Sequence, residues 1–194
     1  MVNLMSELRD RRVLLGVSGG IAAFKAAALT SLLRKEGALV RVIMTRNARE
    51  FVTPLTFATL SGHPVYTDTF GARGLPAQGD SGWEIDHLSL ADFAEVFLIA
   101  PATANVIGKA AGAIADDLLS TALIAARCPV VFAPAMNTDM FENPILQDKI
   151  AYLKAKGYRF IEPGEGILAC GREGKGRMAE PEEIATFLRS LLGS

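Results

Sequence analysis

Cysteine, histidine and long apolar runs are scarce in this sequence. The two cysteines and two histidines lack the spacing of metal ligands, so neither a zinc site nor a disulfide scaffold is expected. No apolar run reaches membrane-spanning length, and residues 1–12 lack the apolar core of a signal peptide. These absences predict a cytoplasmic protein that binds no metal and no membrane.

An excess of charge of either sign is also missing. The chain has 20 basic and 21 acidic residues, which gives no bulk electrostatic attraction for nucleic acid. Half of its residues are hydrophobic and the mean hydropathy is +0.27, which is too apolar for a disordered chain. We therefore expect a single folded domain over residues 1–194 whose partner is a small molecule.

Predicted strands and helices alternate along the chain. Short apolar runs bounded by turn residues are typical of strands buried on both faces of a parallel sheet. Such runs predict five main strands, at residues 13–17, 39–44, 96–100, 129–133 and 158–161. The pattern predicts a three-layer α/β domain, Rossmann-like (flavodoxin-like), with a mainly parallel sheet. Helices are predicted between the strands, one of them broken near Gly112, and residues 66–86 and 162–180 are predicted as loops.

Small and amide residues directly follow two of the predicted strands. The two loops read Pro101-Ala102-Thr103-Ala104-Asn105 and Pro134-Ala135-Met136-Asn137. Ligands of parallel sheets bind beyond the carboxyl ends of the strands, so both loops are expected at one binding site. They can offer backbone N–H, hydroxyl and carboxamide groups to a polar ligand. The alternative is that each loop is an ordinary turn with asparagine as a helix cap.

The first predicted strand ends in a glycine-rich turn, Gly16-Val17-Ser18-Gly19-Gly20, that allows three interpretations. A nucleophile elbow of the form G-x-S-x-G needs an earlier loop for its oxyanion hole, and none precedes the first strand. A dinucleotide site needs a third glycine, and an acid where the second strand ends in Thr45. A phosphate bound by backbone N–H groups and Ser18 at a helix N-terminus has no such conflict.

Two residues are candidates for proton transfer. His87 precedes the third main strand and has a side chain that titrates near neutral pH, although a structural role is the alternative. Cys170 lies in a charged, glycine-rich segment, where an exposed thiol favours a chemical role. His63 is interpreted as a solvated turn residue and Cys128 as a small buried residue.

Several motifs over residues 11–192 resemble those of the homo-oligomeric flavin-containing cysteine decarboxylases. They are Gly16-Val17-Ser18-Gly19-Gly20-Ile21-Ala22-Ala23, His87, the two strand-end loops, the latter extended by Thr138-Asp139-Met140, and Ala169-Cys170-Gly171 followed by Gly176-Arg177-Met178. The resemblance implies FMN-dependent decarboxylation of 4′-phosphopantothenoylcysteine in coenzyme A biosynthesis. One departure is Phe141, where lantibiotic-type relatives usually carry tryptophan.

The resemblance also implies roles for individual residues. Cofactor binding would fall to Ser18, Gly19, Gly20, Ile21, Ala22, Thr45, Arg46, Asn47, Thr103, Ala104, Asn105, Val106 and Ala135. His87 would be the essential histidine near the flavin, Asn137 would bind the substrate carboxylate or amide, and Cys170 would donate a proton. Met140, Leu168 and Ala169 would complete the substrate site. Arg177 and Lys109 are left as candidates for binding the substrate phosphate.

A flavin is needed because a thiol cannot accept the electron pair that remains when CO2 leaves. Two-electron oxidation by FMN would convert CH2–SH to a thioaldehyde, and its C=S group would accept those electrons. The resulting enethiol would then receive a hydride from reduced FMN and a proton from Cys170. The product would be 4′-phosphopantetheine.

The resemblance further implies a homotrimer or a multiple of trimers, with a phosphopantothenate–cysteine ligase either fused or separate. His87 could then come from a neighbouring subunit. Three other functions are kept as alternatives. A peptidyl-cysteine decarboxylase would stop at the enethiol, a flavin prenyltransferase would not need Cys170, and a phosphatase-inhibitory relative usually carries a long acidic tail.

Overall fold

A six-stranded parallel sheet forms the centre of the molecule. The computed structural model describes residues 7–69, 86–167, 171 and 173–193, with the backbone alone for Asp86, His87 and Ile167. The sheet strands are β1 (Arg12–Val17), β2 (Leu39–Met44), β3 (Val65–Tyr66), β4 (Val96–Ala102), β5 (Val130–Pro134) and β6 (Arg159–Phe160). All five pairings between neighbouring strands are parallel, in the order β3-β2-β1-β4-β5-β6.

Helices connect the strands, and a separate hairpin follows the sheet. The helices are α1 (Ala23–Lys35), α2 (Pro54–Ser61), α3 (Asp86–Phe93), α4 (Ala104–Gly112), α5 (Leu118–Ala125), α6 (Thr138–Phe141), α7 (Pro144–Ala155) and α8 (Pro181–Leu192). A 3-10 turn spans Arg46–Glu50, and β7 (Gly164–Ile167) pairs with β8 (Glu173–Arg177) in antiparallel fashion. None of the described helices has both the length and the apolar composition needed to cross a bilayer.

The sheet is covered on both faces, which confirms the three-layer prediction. Successive strand residues point to opposite faces, so Leu15 and Leu14 of β1 belong to different buried clusters. The Leu15 cluster is completed by α1, α2 and α8. The Leu14 cluster is completed by α3, α4, α5 and α7. Because both faces are buried, the central strands β4 and β5 are apolar throughout, and that is the pattern visible in the sequence.

The strand order contains a switch point between β1 and β4. From β1 the chain moves outward through β2 and β3, and then crosses to β4 on the other side. With the two-residue β3 counted, the order is that of dinucleotide-binding folds, and without it the order is that of flavodoxin. In both cases a ligand crevice is expected beyond the carboxyl ends of β1 and β4.

The structure differs from the sequence prediction in two segments. Residues 162–180, predicted as a loop, contain the β7–β8 hairpin. Its strands are rich in glycine and charge and lack apolar alternation, so no strand pattern was visible. The edge strand β3 has only two residues, too few to show a period. By contrast, the predicted break near Gly112 is confirmed, since α4 ends there and Asp117 caps α5.

Two glycine-to-alanine substitutions should change stability in opposite directions. A Cβ at Gly16 would lie 2.8 Å from Ile99 Cδ1 and 3.0 Å from Leu119 Cδ1, and both side chains are fully buried. Gly16→Ala should therefore cost about 1–3 kcal/mol through overpacking. Gly108→Ala, in the interior of α4 with nothing within 4 Å, should gain about 0.5–1 kcal/mol. Urea unfolding measures both, and a neutral Gly16→Ala would show that this layer is loosely packed.

Candidate functional site

A cavity of about 810 Å³ opens at the switch point, beyond the carboxyl ends of the central strands. Its walls are formed by the loops that follow β1, β2, β4 and β5, together with strand β8 and the start of α5. Cavities of ~300–1,000 Å³ are usual for small molecules and cofactors. The site therefore lies where parallel α/β sheets place their ligands.

The structure brings most of the predicted site residues together around this cavity. Every residue predicted for cofactor binding lines it, as do Asn137 and Met140. Both candidates for the substrate phosphate, Lys109 and Arg177, line it as well. Their common location supports a single site, while the role of each residue stays a prediction.

Four predicted residues cannot be placed at the cavity in the same way. Leu168, Ala169 and Cys170 lie outside the described residues. For His87 the structure describes only the backbone, which belongs to the first turn of α3. The chain runs from α3 into the amino end of β4. His87 is in the first turn of α3, so it lies at the end of the helix that is farther along the chain from β4.

Some cavity residues were not predicted from the sequence. They are Phe24, Lys25, Asp117, Met136, Gly176 and Met178. Phe24 and Lys25 lie one helical turn after the glycine-rich loop, and the i, i+3 spacing from Ile21 and Ala22 would have indicated them. Gly176 and Met178 belong to the Gly176-Arg177-Met178 motif, for which the sequence predicts no contact at these two positions. Among the described residues, no group of three or more His, Cys, Asp or Glu side chains is placed to hold a metal ion.

The loops after β1 and β4 are joined by the buried hydroxyl of Ser18. Ser18 Oγ donates to the Pro101 carbonyl at 2.6 Å and accepts from the Thr103 N–H at 3.1 Å. The side chain is 1% exposed, and its single proton is already donated. This geometry argues against a nucleophile elbow, because a nucleophile must present its oxygen to the substrate. It also leaves anion binding to the backbone rather than to this hydroxyl.

The N-terminus of α1 has the features of an anion site. In the part of the chain that the structure describes, the backbone N–H groups of Gly19, Gly20 and Ile21 have no hydrogen-bond acceptor. The cap residue Ala22 offers no side-chain acceptor, and the first turn of α1 contains no acidic residue. Unpaired N–H groups at the positive end of a helix dipole favour phosphate.

Gly19 allows the loop after β1 to touch the turn after β2. A Cβ at this position would overlap the Asn47 side chain and lie 2.8 Å from the Asn47 carbonyl carbon. The backbone of Asn47 is held in the 3-10 turn, whose cap Thr45 accepts from the Ala48 N–H. Only glycine therefore permits these two walls of the cavity to approach so closely.

The loop after β5 anchors both Asn137 and the hairpin. Asn137 Oδ1 accepts from the Asp139 N–H at 2.8 Å, so the carboxamide caps α6 and is fixed in orientation. The Met136 N–H donates to the Gly176 carbonyl at 3.0 Å, which docks β8 on this loop. A Cβ at Gly176 would overlap the Met136 carbonyl oxygen, so this contact also requires glycine.

Ion pairs flank the cavity on two sides. Lys109 Nζ lies 2.5 Å from Asp116 Oδ1 and 2.7 Å from Asp117 Oδ2. Burial would lower the pKa of Lys109, but the hydrogen bonds that its ammonium donates to the two carboxylates together raise it above its ordinary value. On the other side, Glu180 Oε1 lies 2.7 Å from Lys25 Nζ and 3.7 Å from Arg177 Nη2.

The geometry of the site agrees with the comparison to known families. A model described as Flavoprotein matches residues 1–193. The chain belongs to the Flavoprotein family. Among its relatives, the Coenzyme A biosynthesis bifunctional protein CoaBC of Bacillus subtilis is 55% identical over 177 residues. The match covers 91% of this flavoprotein and 42% of the relative, so the chain spans less than half the length of that protein.

Solved structures with the same fold are also similar in sequence. A PPC decarboxylase mutant complexed with pantothenoylaminoethenethiol has a TM-score of 0.85 and 34% identity, covering 96% of this flavoprotein and all of that chain. The FMN-dependent cysteine decarboxylase SpaF has a TM-score of 0.80 and 32% identity, covering 96% of this flavoprotein and 99% of that chain. These matches confirm the Rossmann-like fold over nearly the whole chain.

The Asp117 charge should stabilise this flavoprotein only above acidic pH. Burial would raise the pKa of Asp117, but hydrogen bonds from Lys109 and Ser120 outweigh it and hold the pKa below its ordinary value. A carboxyl group whose pKa is lower in the folded state stabilises the fold at pH values above its unfolded pKa of about 3.9. This contribution is lost as the pH falls through the pKa of the folded state. Asp117→Asn keeps the helix cap and should cost ~1 kcal/mol at pH 7.

Urea unfolding at pH 7 and at pH 3 checks this expectation. The difference between the wild type and Asp117→Asn should shrink at the lower pH. An equal difference at both pH values would show that the hydrogen-bonding geometry, rather than the charge, is the source. Asp117→Ala removes cap and charge together and should remain destabilised at both.

Proposed function

We propose that this chain binds FMN and decarboxylates 4′-phosphopantothenoylcysteine to 4′-phosphopantetheine. The observation that carries the proposal is the cavity at the switch point, on whose wall all the predicted cofactor residues meet. The names of the similar proteins support both halves of the proposal. SpaF is FMN-dependent, CoaBC acts in coenzyme A biosynthesis, and a PPC decarboxylase has nearly the same fold.

The residues present fit FMN in charge, size and polarity. The unpaired N–H groups of the loop after β1 suit its phosphate. The cavity volume suits a cofactor, and the wall combines polar loop residues with apolar side chains for a flat aromatic ring. The apolar side chains on the wall include Val106, Met136 and Met178. Val106 and Met178 are almost completely buried.

Bound FMN would supply reversible two-electron oxidation of the substrate thiol, which creates the electron sink that decarboxylation needs. The chain itself would bind and orient the substrate and supply the proton that the product needs. The fixed carboxamide of Asn137 would orient the substrate carboxylate without the desolvation cost of a buried cation. Cys170 would donate the proton that completes the saturated product. His87 would be the essential histidine near the flavin, as a residue type suited to proton transfer.

We also propose the assembly and its setting. The protein would work in the cytoplasm as a homotrimer or a multiple of trimers, with His87 of one subunit near the cavity of another. A phosphopantothenate–cysteine ligase would be fused or separate, in keeping with the bifunctional name of the CoaBC relatives.

Gly19→Ala should weaken flavin binding far more than Gly20→Ala. The new Cβ at position 19 would push against the backbone of Asn47, whereas a Cβ at Gly20 would lie 3.5 Å from Thr103 Cγ2, an ordinary contact. Titration of the protein with FMN, followed by flavin fluorescence, should show at least a tenfold weaker affinity for Gly19→Ala, equal to about 1.4 kcal/mol. Equal affinities for the two variants would mean that the loop contact does not shape the cofactor site.

Turnover tests the whole proposal. The purified protein should show flavin absorption at about 450 nm and release CO2 from 4′-phosphopantothenoylcysteine. Cys170→Ser should still release CO2 but accumulate the enethiol, because the returning proton is missing. Cys128→Ser, at the other cysteine, should form the saturated product. A colourless protein that takes up no added FMN would contradict the proposal at its base.

A peptidyl-cysteine decarboxylase is the second candidate, because SpaF is a cysteine decarboxylase with a TM-score of 0.80. Such an enzyme would stop at the enethiol, so Cys170→Ser would leave the final product unchanged. Incubation with a peptide that ends in cysteine, beside 4′-phosphopantothenoylcysteine, decides between the two substrates. Incubation with dimethylallyl phosphate tests the prenyltransferase alternative in the same format.

A further inference from the structure

The four cations on the cavity wall differ in what neutralises them. They are Lys25, Arg46, Lys109 and Arg177. Arg46 lies in the turn after β2, beside the loop that suits the cofactor phosphate. The other three are candidates for binding a second anionic group, and they differ in the carboxylates with which they are paired.

The Lys109 side of the cavity carries excess negative charge. Lys109 is paired with two carboxylates, Asp116 at 2.5 Å and Asp117 at 2.7 Å. Asp117 itself lines the cavity, so an anionic ligand that reached Lys109 would also meet a carboxylate. Like charges at such distances repel in a partly buried site. A substrate phosphate is therefore disfavoured there.

The Arg177 side carries excess positive charge towards the cavity. Lys25 and Arg177 share the single carboxylate of Glu180, which does not line the cavity. Glu180 is the residue before α8, and its backbone N–H donates to Glu183 Oε2 at 3.0 Å. Both acids are thus held at the helix start, behind the two cations.

Arg177 is presented in a way that suits phosphate. Its side chain is 43% exposed, and its guanidinium group lies against Gly166 of β7. A Cβ atom added to Gly166 would be only 2.9 Å from Nη1. Lys25 is 13% exposed and donates to the Met178 carbonyl at 3.2 Å, so it is fixed beside the strand. A planar guanidinium with free donors binds phosphate through two parallel hydrogen bonds, and a neighbouring ammonium adds charge.

We propose that Arg177, assisted by Lys25, forms the subsite for the substrate phosphate, and that Lys109 does not bind it. The inference rests on the proposed function, since it assigns one group of that substrate. The subsite would bind the phosphate, which stands at the opposite end of 4′-phosphopantothenoylcysteine from the reacting thiol. It contributes equally to binding of the ground state and the transition state, so its loss raises KM and leaves kcat unchanged.

The test compares 4′-phosphopantothenoylcysteine with its dephosphorylated form in flavin-loaded enzyme. Arg177→Gln should lower kcat/KM for the phosphorylated substrate about tenfold and leave the value for the dephosphorylated substrate unchanged. Arg177→Lys should retain part of the preference, and Lys25→Gln should lose a smaller part. Lys175→Gln is the matched control, because Lys175 is on the same strand, pairs with Glu162 and does not line the cavity.

Binding provides a readout independent of turnover. Calorimetry should show that the wild type prefers 4′-phosphopantothenate to pantothenate, and that Arg177→Gln removes the preference while flavin content stays the same. An unchanged preference in Arg177→Gln, or a loss of flavin from that variant, overturns the subsite. A wild-type enzyme that acts on neither substrate overturns the proposed function instead. If Arg177→Gln fails to fold, Arg177→Lys and Lys25→Gln decide by the same two readouts.

Discussion

The buried hydroxyl of Ser18 holds together the two strands on which the site depends. β1 and β4 are neighbours in the sheet but are separated in sequence by three crossovers, so a direct contact between their carboxyl ends links distant parts of the chain. Ser18 provides the tie through the Pro101 carbonyl and the Thr103 N–H. Buried polar groups need hydrogen-bond partners, and the Ser18 oxygen is the partner of both the carbonyl and the N–H group. The two loops that border the crevice are therefore joined directly, through one buried side chain.

Around that tie, the walls of the cavity are set by backbone contacts rather than by long side chains. Gly19 lets the turn after β2 close in, and Gly176 lets the hairpin dock on the loop after β5. Main-chain contacts of this kind tolerate little movement, so the unpaired N–H groups of the first loop keep their direction. Preorganised donors of this type lose little entropy on binding. The specificity for one ligand over another then depends on the side chains.

The sequence was sufficient for the layers and for the position of the site, because both depend on short-range patterns. Buried parallel strands are continuously apolar, and the loops at their carboxyl ends must meet. The hairpin was missed since its strands bury little apolar surface and are held by docking. Asp117 was missed as a cavity residue because its proximity to Lys109 depends on the left-handed turn at Ala113. The roles of His87 and Cys170 rest on chemistry and resemblance, since no sequence pattern reveals what a side chain faces.

Asp117 serves helix α5 and the cavity at the same time. Its carboxylate receives the Ser120 N–H at the start of the helix and also the ammonium of Lys109 from α4. A mutation that alters the ligand-facing charge on this side consequently perturbs the contact between two packed helices. Adaptation of this wall to a new ligand is therefore limited by the stability of the fold as well as by binding.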